Sequence, residues 1–263
     1  MMTGGNPDAE FADIITLPWN RLDLLQEVFA QQGEQIAAVI CEPINGNSGC
    51  IMPVEGYLEG IVALCTEHGA KSIFDEVITG FRIALGGARE YFGVIPDLST
   101  YAKAIAGGFS VSAVAGRREM FDCIRAGTAS HSGTYNGQAV NIAASLAVVN
   151  TLRQDGMYEA AMAHGDALRA GLLAAAARHG VTLSIAGVGT MFSLHWGLAT
   201  APTTYRESLE ADSAFDRRFC AAMLERGVSL VPGRWFVGMA HGEEELAYAL
   251  AAIEASLAAI AAE

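Results

Sequence analysis

The feature that most constrains this chain is an apolar strand, a helix and a second apolar strand in close succession. The first strand is predicted at residues 36–41, and the helix should begin at Pro53 and end near His68. The second strand, at residues 71–77, contains the adjacent carboxylates Asp75 and Glu76 near its end. Two parallel strands joined by a helix form a right-handed βαβ unit. The sequence therefore predicts an α/β fold, with Asp75 at the sheet edge where ligands bind in such folds.

The Asp75 carboxylate needs a partner, because a buried charge is costly unless it meets a cation or a hydrogen-bond donor. An ordinary acidic turn after a core strand is the simplest alternative. The chain has only two lysines, Lys71 and Lys103, and Lys103 follows a strand predicted at residues 98–101. That strand should bring Lys103 to the same edge as Asp75, although a solvated lysine is also common there. The pair suits pyridoxal phosphate, which needs a lysine for its Schiff base and an acidic partner for its ring nitrogen.

Charge and composition exclude several classes of protein. The 263 residues carry a formal net charge of −13, which argues against a nucleic-acid or anionic-membrane surface. Hydrophobic residues make up 52% of the chain, yet no apolar run reaches the roughly 20 residues that a membrane span needs. The five cysteines form no C-x-x-C pair, and no signal-peptide pattern precedes them. These features predict a soluble, cytoplasmic protein with reduced thiols.

The sequence does not match other common catalytic patterns. A strand that ends in carboxylates also occurs in P-loop NTPases, but neither lysine lies in a G-x-x-x-x-G-K-[ST] loop. No G-x-S-x-G elbow of a serine hydrolase is present. The six histidines lack H-E-x-x-H spacing, so the sequence predicts no metal site.

The rest of the chain divides near Gln154-Asp155-Gly156. Before this point we predict a strand at residues 111–115 and an apolar, small-residue helix at residues 138–152. After it, Ala- and Leu-rich helices alternate with short strands, which are predicted at residues 183–185, 191–195 and 236–239. We therefore expect a cofactor-binding large domain over residues 1–155 and an α+β small domain over residues 156–263.

Several segments, in order along the chain, resemble the signatures of one enzyme family, the class III (fold type I) pyridoxal-phosphate-dependent aminotransferases. The similarity is greatest to the glutamate-1-semialdehyde 2,1-aminomutase branch. The segments Asp75 to Arg82 and Lys103 to Gly108 carry most of it. Further matching segments are Glu42-Pro43, Gly46-Asn47, 86–93, 131–136 and 240–244. The resemblance extends from about Leu17 to the end of the chain, and it implies the fold type I transferase architecture.

The resemblance also implies a role for each of five residues. Lys103 would form the Schiff base with pyridoxal phosphate and carry the proton between substrate and cofactor. Asp75 would keep the ring nitrogen protonated, and Val77 would pack on one face of the ring. Asn47 would either hydrogen-bond near the phenolic oxygen of the ring or orient Asp75. Thr134 would reach the cofactor phosphate of a neighbouring subunit, which implies a homodimer.

The implied reaction transfers an amino group between an amino donor and an oxo acceptor. The donor would be an amino acid or an amine, and the acceptor an oxo acid or an aldehyde. The resemblance does not separate an aminotransferase from an aminomutase, and it does not identify the substrates.

The chain departs from the family pattern at its N-terminus. The resemblance implies an N-terminally truncated form, because the phosphate-binding loop and the first strands of the large-domain sheet have no counterpart. Ser110 and Ser112 also replace the usual proline and glycine, and Gln138-Ala139 replaces Asn-Pro. A second function therefore stays open, that of a catalytically silent fragment acting as an interaction subunit. In either case we expect an incomplete sheet with an exposed apolar face, an unpaired edge and a loosely held phosphate.

Overall fold

The computed structural model describes residues 12–262. The helices of this part are α1 (Leu22–Gln32), α2 (Tyr57–His68), α3 (Ala88–Phe92), α4 (Asp122–Arg125), α5 (Ala139–Leu152), α6 (Met157–Arg178), α7 (Tyr205–Ser208), α8 (Ser213–Glu225) and α9 (Glu243–Ala261). The strands are β1 (Ala38–Cys41), β2 (Lys71–Asp75), β3 (Leu98–Tyr101), β4 (Ala113–Gly116), β5 (Leu183–Val188), β6 (Met191–Trp196) and β7 (Trp235–Phe236). Over residues 12–262, no helix combines the length and the apolar character that crossing a membrane requires.

The first sheet has the strand order β1-β2-β3-β4. Strands β1 to β3 run parallel, and β4 runs antiparallel to β3. Helix α2 connects β1 to β2 and packs with α1 on the sheet, in a core that includes Phe29, Ile61 and Phe74. The predicted βαβ unit is therefore present, and the carboxyl ends of three parallel strands share one edge.

The second sheet is antiparallel, with the order β5-β6-β7. Helices α6, α8 and α9 pack against it, in a core that includes Trp196, Phe219, Trp235 and Leu257. The indole N–H of Trp196 donates to the Asp216 carboxylate at 3.0 Å, which satisfies both polar groups inside this core.

The two sheets are joined by the segment that follows β2. A buried cluster contains Ile78 and Ile83 from this segment and Val188 and Met191 from the second sheet. The Thr190 hydroxyl also donates to the carbonyl of Arg82 at 3.0 Å. The predicted division after residue 155 lies between α5 and α6. Separate domains at that point stay a prediction.

A largely apolar surface of the first sheet is not covered by the described residues. Ile40 of the edge strand β1 is 64% exposed, and Val114 of the opposite edge strand β4 is also exposed. Helix α5 exposes Val140 and Leu146 and buries only Leu152. A helix that is apolar around its circumference is normally packed on more than one side. The expected apolar face and unpaired edge strands are therefore present in the described residues. We call the exposed side chains of Ile40, Val114, Val140 and Leu146 the open face.

Some predicted element boundaries were wrong. Helix α2 begins at Tyr57 instead of Pro53, because Gly56 has a φ of 79° and cannot continue a right-handed helix. Strand β4 covers Ala113–Gly116 instead of residues 111–115. The last strand is only Trp235–Phe236, because the chain turns at Gly238, whose carbonyl accepts from the His241 N–H.

Candidate active site

Asp75 and Lys103 lie at the carboxyl ends of neighbouring parallel strands. Asp75 is the last residue of β2 and pairs in register with Thr100 of β3. Lys103 begins the 3-10 turn that the chain enters after β3. The two residues that the sequence analysis paired are thus placed at the same sheet edge, where α/β proteins bind ligands.

The Asp75 carboxylate is half-buried and held in a fixed orientation. Its Oδ1 atom accepts hydrogen bonds from the backbone N–H of Val77 at 3.0 Å and from the Thr100 hydroxyl at 3.2 Å. Within residues 12–262 no cation pairs with Asp75, so the charged partner that the sequence predicts is not another side chain of this part. Oδ2 is therefore left to accept a donor from a ligand.

The Lys103 side chain is exposed, and its backbone is strained. Its φ of 46° lies in the left-handed region, which costs free energy for a residue with a Cβ. Behind it, a Cβ added at Gly107 would come within 3.0 Å of Val148 in α5, so this turn packs closely on that helix. The part of the chain that the structure describes offers the Lys103 amine no hydrogen bond or ion pair.

Glu76, the carboxylate next to Asp75, faces the opposite way and is completely buried. Its Oε2 atom accepts from the Ala88 N–H at 2.5 Å and the Thr79 hydroxyl at 3.1 Å, and its Oε1 atom accepts from the Arg89 N–H at 3.3 Å. Burial raises the pKa of Glu76 in spite of these donors. The side chain fixes the start of α3, so the two adjacent carboxylates serve different purposes.

Replacing Glu76 with glutamine should lower the free energy of unfolding by about 1–3 kcal/mol. The new amide N–H₂ group is a donor and must face a backbone N–H, so that N–H loses its acceptor. Since burial raises the pKa of Glu76 in the folded state, the wild type should lose stability as the pH rises through that raised pKa. The glutamine variant lacks this ionisation, so the gap between the two proteins should shrink as the pH rises. Urea unfolding at several pH values, with the exposed Glu67→Gln as control, measures both effects. An unchanged midpoint would contradict the structural role.

Glu42 and Asn47 extend the site beyond the end of β1. The Glu42 carboxylate accepts from the Gly46 N–H at 3.0 Å and from the Asn47 amide at 3.4 Å. Burial raises the pKa of Glu42, and the charges of Asp75 and Lys103 both act on it, the first raising and the second lowering the pKa. Glu42 is therefore affected by the Asn47 hydrogen bond and by the charges of both Asp75 and Lys103.

Asn47 does not orient Asp75, which was one of its two expected roles. Its amide nitrogen donates to Glu42, and its Oδ1 atom accepts from the guanidinium of Arg234. The groups that orient Asp75 are Thr100 and the backbone of Val77.

Val77 and Thr134 differ in their position relative to this edge. Val77 is half-buried, and its backbone N–H donates to the Asp75 carboxylate at 3.0 Å. Thr134 lies in the exposed segment between α4 and α5. In the described part of the chain its hydroxyl forms no hydrogen bond, neither with Asp75 or Lys103 nor with another residue. A contact between Thr134 and a cofactor in a second subunit stays a prediction.

Sequence reasoning missed three residues of this site. Thr100 could have been found, because a hydroxyl on the strand that leads to Lys103 is a natural partner for Asp75. Glu42 was noted only as part of a motif, although it follows the end of β1 directly. Arg234 gave no signal, because it comes from the second sheet and meets Asn47 across 187 positions of sequence.

Solved structures of similar shape are aminotransferases or related proteins. An omega-transaminase from Sphaerobacter thermophilus matches with a TM-score of 0.90 and 30% identity, over 97% of this chain and 59% of that chain. The FumI protein of Sphingopyxis sp. MTA144, solved in its pyridoxal-phosphate form, matches with a TM-score of 0.82 and 27% identity, over 92% and 56% of the two chains. A glutamate-1-semialdehyde aminomutase from Pseudomonas aeruginosa has a TM-score of 0.82 over 92% and 56%, but at 23% identity it shows the fold alone.

The chain spans less than two thirds of the length of these solved structures. The fold that they share with it is the fold type I transferase architecture that the sequence predicts. The family model described as aminotransferase class-III matches residues 7–237, which is most of the sequence. The predicted resemblance is thereby confirmed, and the chain belongs to the class-III aminotransferase family.

Proposed function

We propose that this chain takes part in the pyridoxal-phosphate-dependent transfer of an amino group. The donor is an amino acid or an amine, and the acceptor is an oxo acid or an aldehyde. The observation that carries the proposal is the placement of Asp75 and Lys103 at the carboxyl ends of β2 and β3. Membership of the class-III aminotransferase family supports the same chemistry.

The residues at this edge fit pyridoxal phosphate. The Lys103 amine is unpaired within the described residues, as a group that must bond to a carbonyl has to be. Asp75 has one oxygen oriented by Val77 and Thr100, which leaves the other for a protonated ring nitrogen. When bound, the cofactor supplies an electron sink for the charge that develops on the substrate carbon.

Each residue then has a defined task. Lys103 would hold the cofactor through Nζ until the amino group of the donor displaces it, and the released Nζ would then move the proton to and from the substrate carbon. Asp75 keeps a proton on the ring nitrogen. The protonated ring stabilises the negative charge that develops as the proton leaves the substrate carbon. Val77 packs on one face of the cofactor ring. Asn47 donates towards the phenolic oxygen of the ring, which is the other of its two expected roles, because Thr100 and Val77 already orient Asp75. Thr134 contacts the phosphate of the cofactor that is bound in a second subunit.

An absorbance titration tests this function. The purified protein should acquire the absorbance band of lysine-bound pyridoxal phosphate, and adding an amino donor should convert it to the band of the aminated cofactor. A subsequent oxo acid should restore the first band. A protein that binds cofactor but shows no conversion with a panel of amines and amino acids would contradict the proposal.

A second candidate function is that of a silent interaction subunit. The open face supports it, since several large apolar side chains exposed on the first sheet and on α5 are typical of a protein contact. The two candidates predict different spectra, because a silent subunit need not bind the cofactor at Lys103. The same titration therefore separates them.

We infer that the chain forms a homodimer through α5 and the segment that contains Thr134. Val140 and Leu146 of α5 are 60% and 58% exposed, and Tyr135 beside Thr134 is 77% exposed. Covering these side chains would remove a large apolar area from water, which is the main driving force of association. It would also place Thr134 on the surface that meets the second subunit.

Light scattering at micromolar concentration should therefore report a dimer. The double variant Val140→Glu and Leu146→Glu should shift the protein to the monomer, because two carboxylates would be buried at the interface. Leu209→Glu, at an equally exposed position just after α7, is the matched control and should stay dimeric. A monomeric wild type, or dissociation by the control, would refute this interface.

The five cysteines are all free thiols. We propose a reducing, cytoplasmic location, which these free thiols support.

A further inference from the structure

His195 of β6 contacts the loop that follows β1. Its ring nitrogen Nε2 lies 3.0 Å from the carbonyl oxygen of Gly49, although 146 positions of sequence separate the two residues. His195 is buried, with 3% of its surface exposed. A carbonyl oxygen can only accept a hydrogen bond, so Nε2 must carry the proton and donate it. The contact therefore joins the second sheet to a loop at the carboxyl edge of the first.

The sheet face that carries His195 is turned towards this loop. Alternate residues of β6 pack in the core between the second sheet and its helices, namely Phe192, Leu194 and Trp196. Side chains alternate between the two faces of a strand, so His195 and Met191 lie on the other face. Met191 packs there with Ile44 and Cys50, which precede and follow the loop. Apolar contacts thus dock the two parts, and His195 adds a hydrogen bond of fixed direction.

The loop itself is short and closed. The backbone N–H groups of Asn45 and Ile51 donate to each other's carbonyls at 3.0 and 3.2 Å. Asn47 lies inside the loop, and its amide donates to Glu42 at 3.4 Å. The parallel register of β1 and β2, extended by one residue, places Glu42 beside Asp75 at the sheet edge. A displacement of the loop would therefore move Asn47 relative to the edge that carries Asp75.

Gly49 and the His195 ring fit together without spare room. The φ of Gly49 is 108°, which is unfavourable for any residue with a Cβ. A Cβ built at Gly49 would lie 2.7 Å from Cε1 of His195 and 3.5 Å from Cβ of Ser208. Burial lowers the pKa of His195, whereas the Gly49 hydrogen bond and the charge of Asp216 act in the opposite direction. The neutral ring with its proton on Nε2 is the form that this contact needs.

We propose that His195 is a positioning residue, which holds Asn47 in place for the cofactor through the carbonyl of Gly49. This inference rests on the proposed amino-transfer function, because Asn47 has a cofactor to contact only if pyridoxal phosphate binds. The loop is held at its start by the bond from the Gly46 N–H to Glu42, and at its end by His195. One N–H of the Asn47 amide faces Glu42, which leaves the other for the phenolic oxygen of the cofactor.

Three substitutions separate the hydrogen bond of His195 from the packing of its ring. His195→Gln keeps an N–H donor, whereas His195→Leu and His195→Met are of similar size and have none. Two independent apolar variants are used so that a failure of one to fold leaves the other. In the cofactor-free protein, the backbone N–H groups of Gly46 and Ile51 should exchange with solvent about fivefold to tenfold faster in the apolar variants. His195→Gln should exchange at the wild-type rate.

The absorbance of the cofactor-loaded protein gives the readout that a merely structural role would not move. It changes with pH as the bond between lysine and cofactor loses its proton, and a donor on the phenolic oxygen favours the deprotonated form. Asn47→Ala should therefore raise the midpoint by about 0.5 to 1 pH unit, the effect of one hydrogen bond. His195→Leu should raise it in the same direction, and the double variant should show no further shift.

His179→Leu is the control, because its Nε2 atom contacts Glu254 at 2.9 Å on the helix side of the second sheet. It should change neither the exchange nor the midpoint. An unchanged midpoint in Asn47→Ala or His195→Leu, additive shifts in the double variant, or equal effects of His195→Gln and His195→Leu would each overturn the proposal. If the wild type takes up no cofactor, the proposed function fails. The exchange rates then still decide whether His195 holds the loop, and equal rates in all variants would refute it.

Discussion

Replacing Lys103 with alanine should abolish amino transfer, while replacing Lys71 should leave it unchanged. Loss of a covalent nucleophile reduces rates by roughly a thousandfold or more, and no other group at this sheet edge offers an amine. The chain supplies its own matched control, because its only other lysine is at the opposite end of β2 from Asp75. Steady-state rates of Lys103→Ala and Lys71→Arg, measured with the same donor and acceptor, give the comparison.

Chemical trapping provides an independent check on the same assignment. Borohydride reduction of the cofactor-loaded protein should leave a pyridoxyl group on Lys103, and the modified lysine should resist trypsin. Peptide mapping then distinguishes the two lysines. A label on Lys71, an unlabelled protein, or an active Lys103→Ala variant would each rule out the proposed attachment.

The elements that position Lys103 and Asp75 could be predicted because their signals are local. Short apolar runs that end in charged residues indicate strands and their carboxyl ends, and a helix between two such runs requires parallel pairing. The start of α2 was misplaced because Pro53 is a good first helical residue, whereas the left-handed φ of Gly56 is not visible in the sequence. Local patterns thus predict the sheet edge where Asp75 and Lys103 lie, but not every element boundary around it.

The contacts that complete the site could not be predicted because they are not local. Thr100 reaches Asp75 through the register of β2 and β3, which depends on how the whole sheet packs. Arg234 meets Asn47 only because the second sheet docks on the segment after β2. The proposed role of Thr134 depends on a second chain, so the contacts within one chain do not test it.

Asp75→Asn should bind pyridoxal phosphate but lose about a hundredfold to a thousandfold in the rate of the half-reaction. Asparagine preserves the shape of the side chain and can still accept from Thr100 and the Val77 N–H, so the fold and the cofactor site should persist. It lacks the negative charge that keeps the ring nitrogen protonated. The charge that develops as the substrate proton leaves is then poorly stabilised, a loss on the scale of about 3–4 kcal/mol.

The neighbouring carboxylate makes the experiment selective. Glu76→Gln replaces a carboxylic acid with its amide one position away, but Glu76 contacts Ala88, Thr79 and Arg89 instead of the sheet edge where Lys103 lies. We therefore expect Glu76→Gln to lower the free energy of unfolding, while its folded fraction keeps a near-normal half-reaction rate. Asp75→Asn should keep its stability and lose half-reaction rate. Stopped-flow absorbance after mixing with an amino donor measures the rates, and urea unfolding measures the stabilities. If Asp75→Asn reacts at the wild-type rate, its carboxylate does not hold the ring proton, and its part in the site is limited to the hydrogen bonds with Thr100 and Val77.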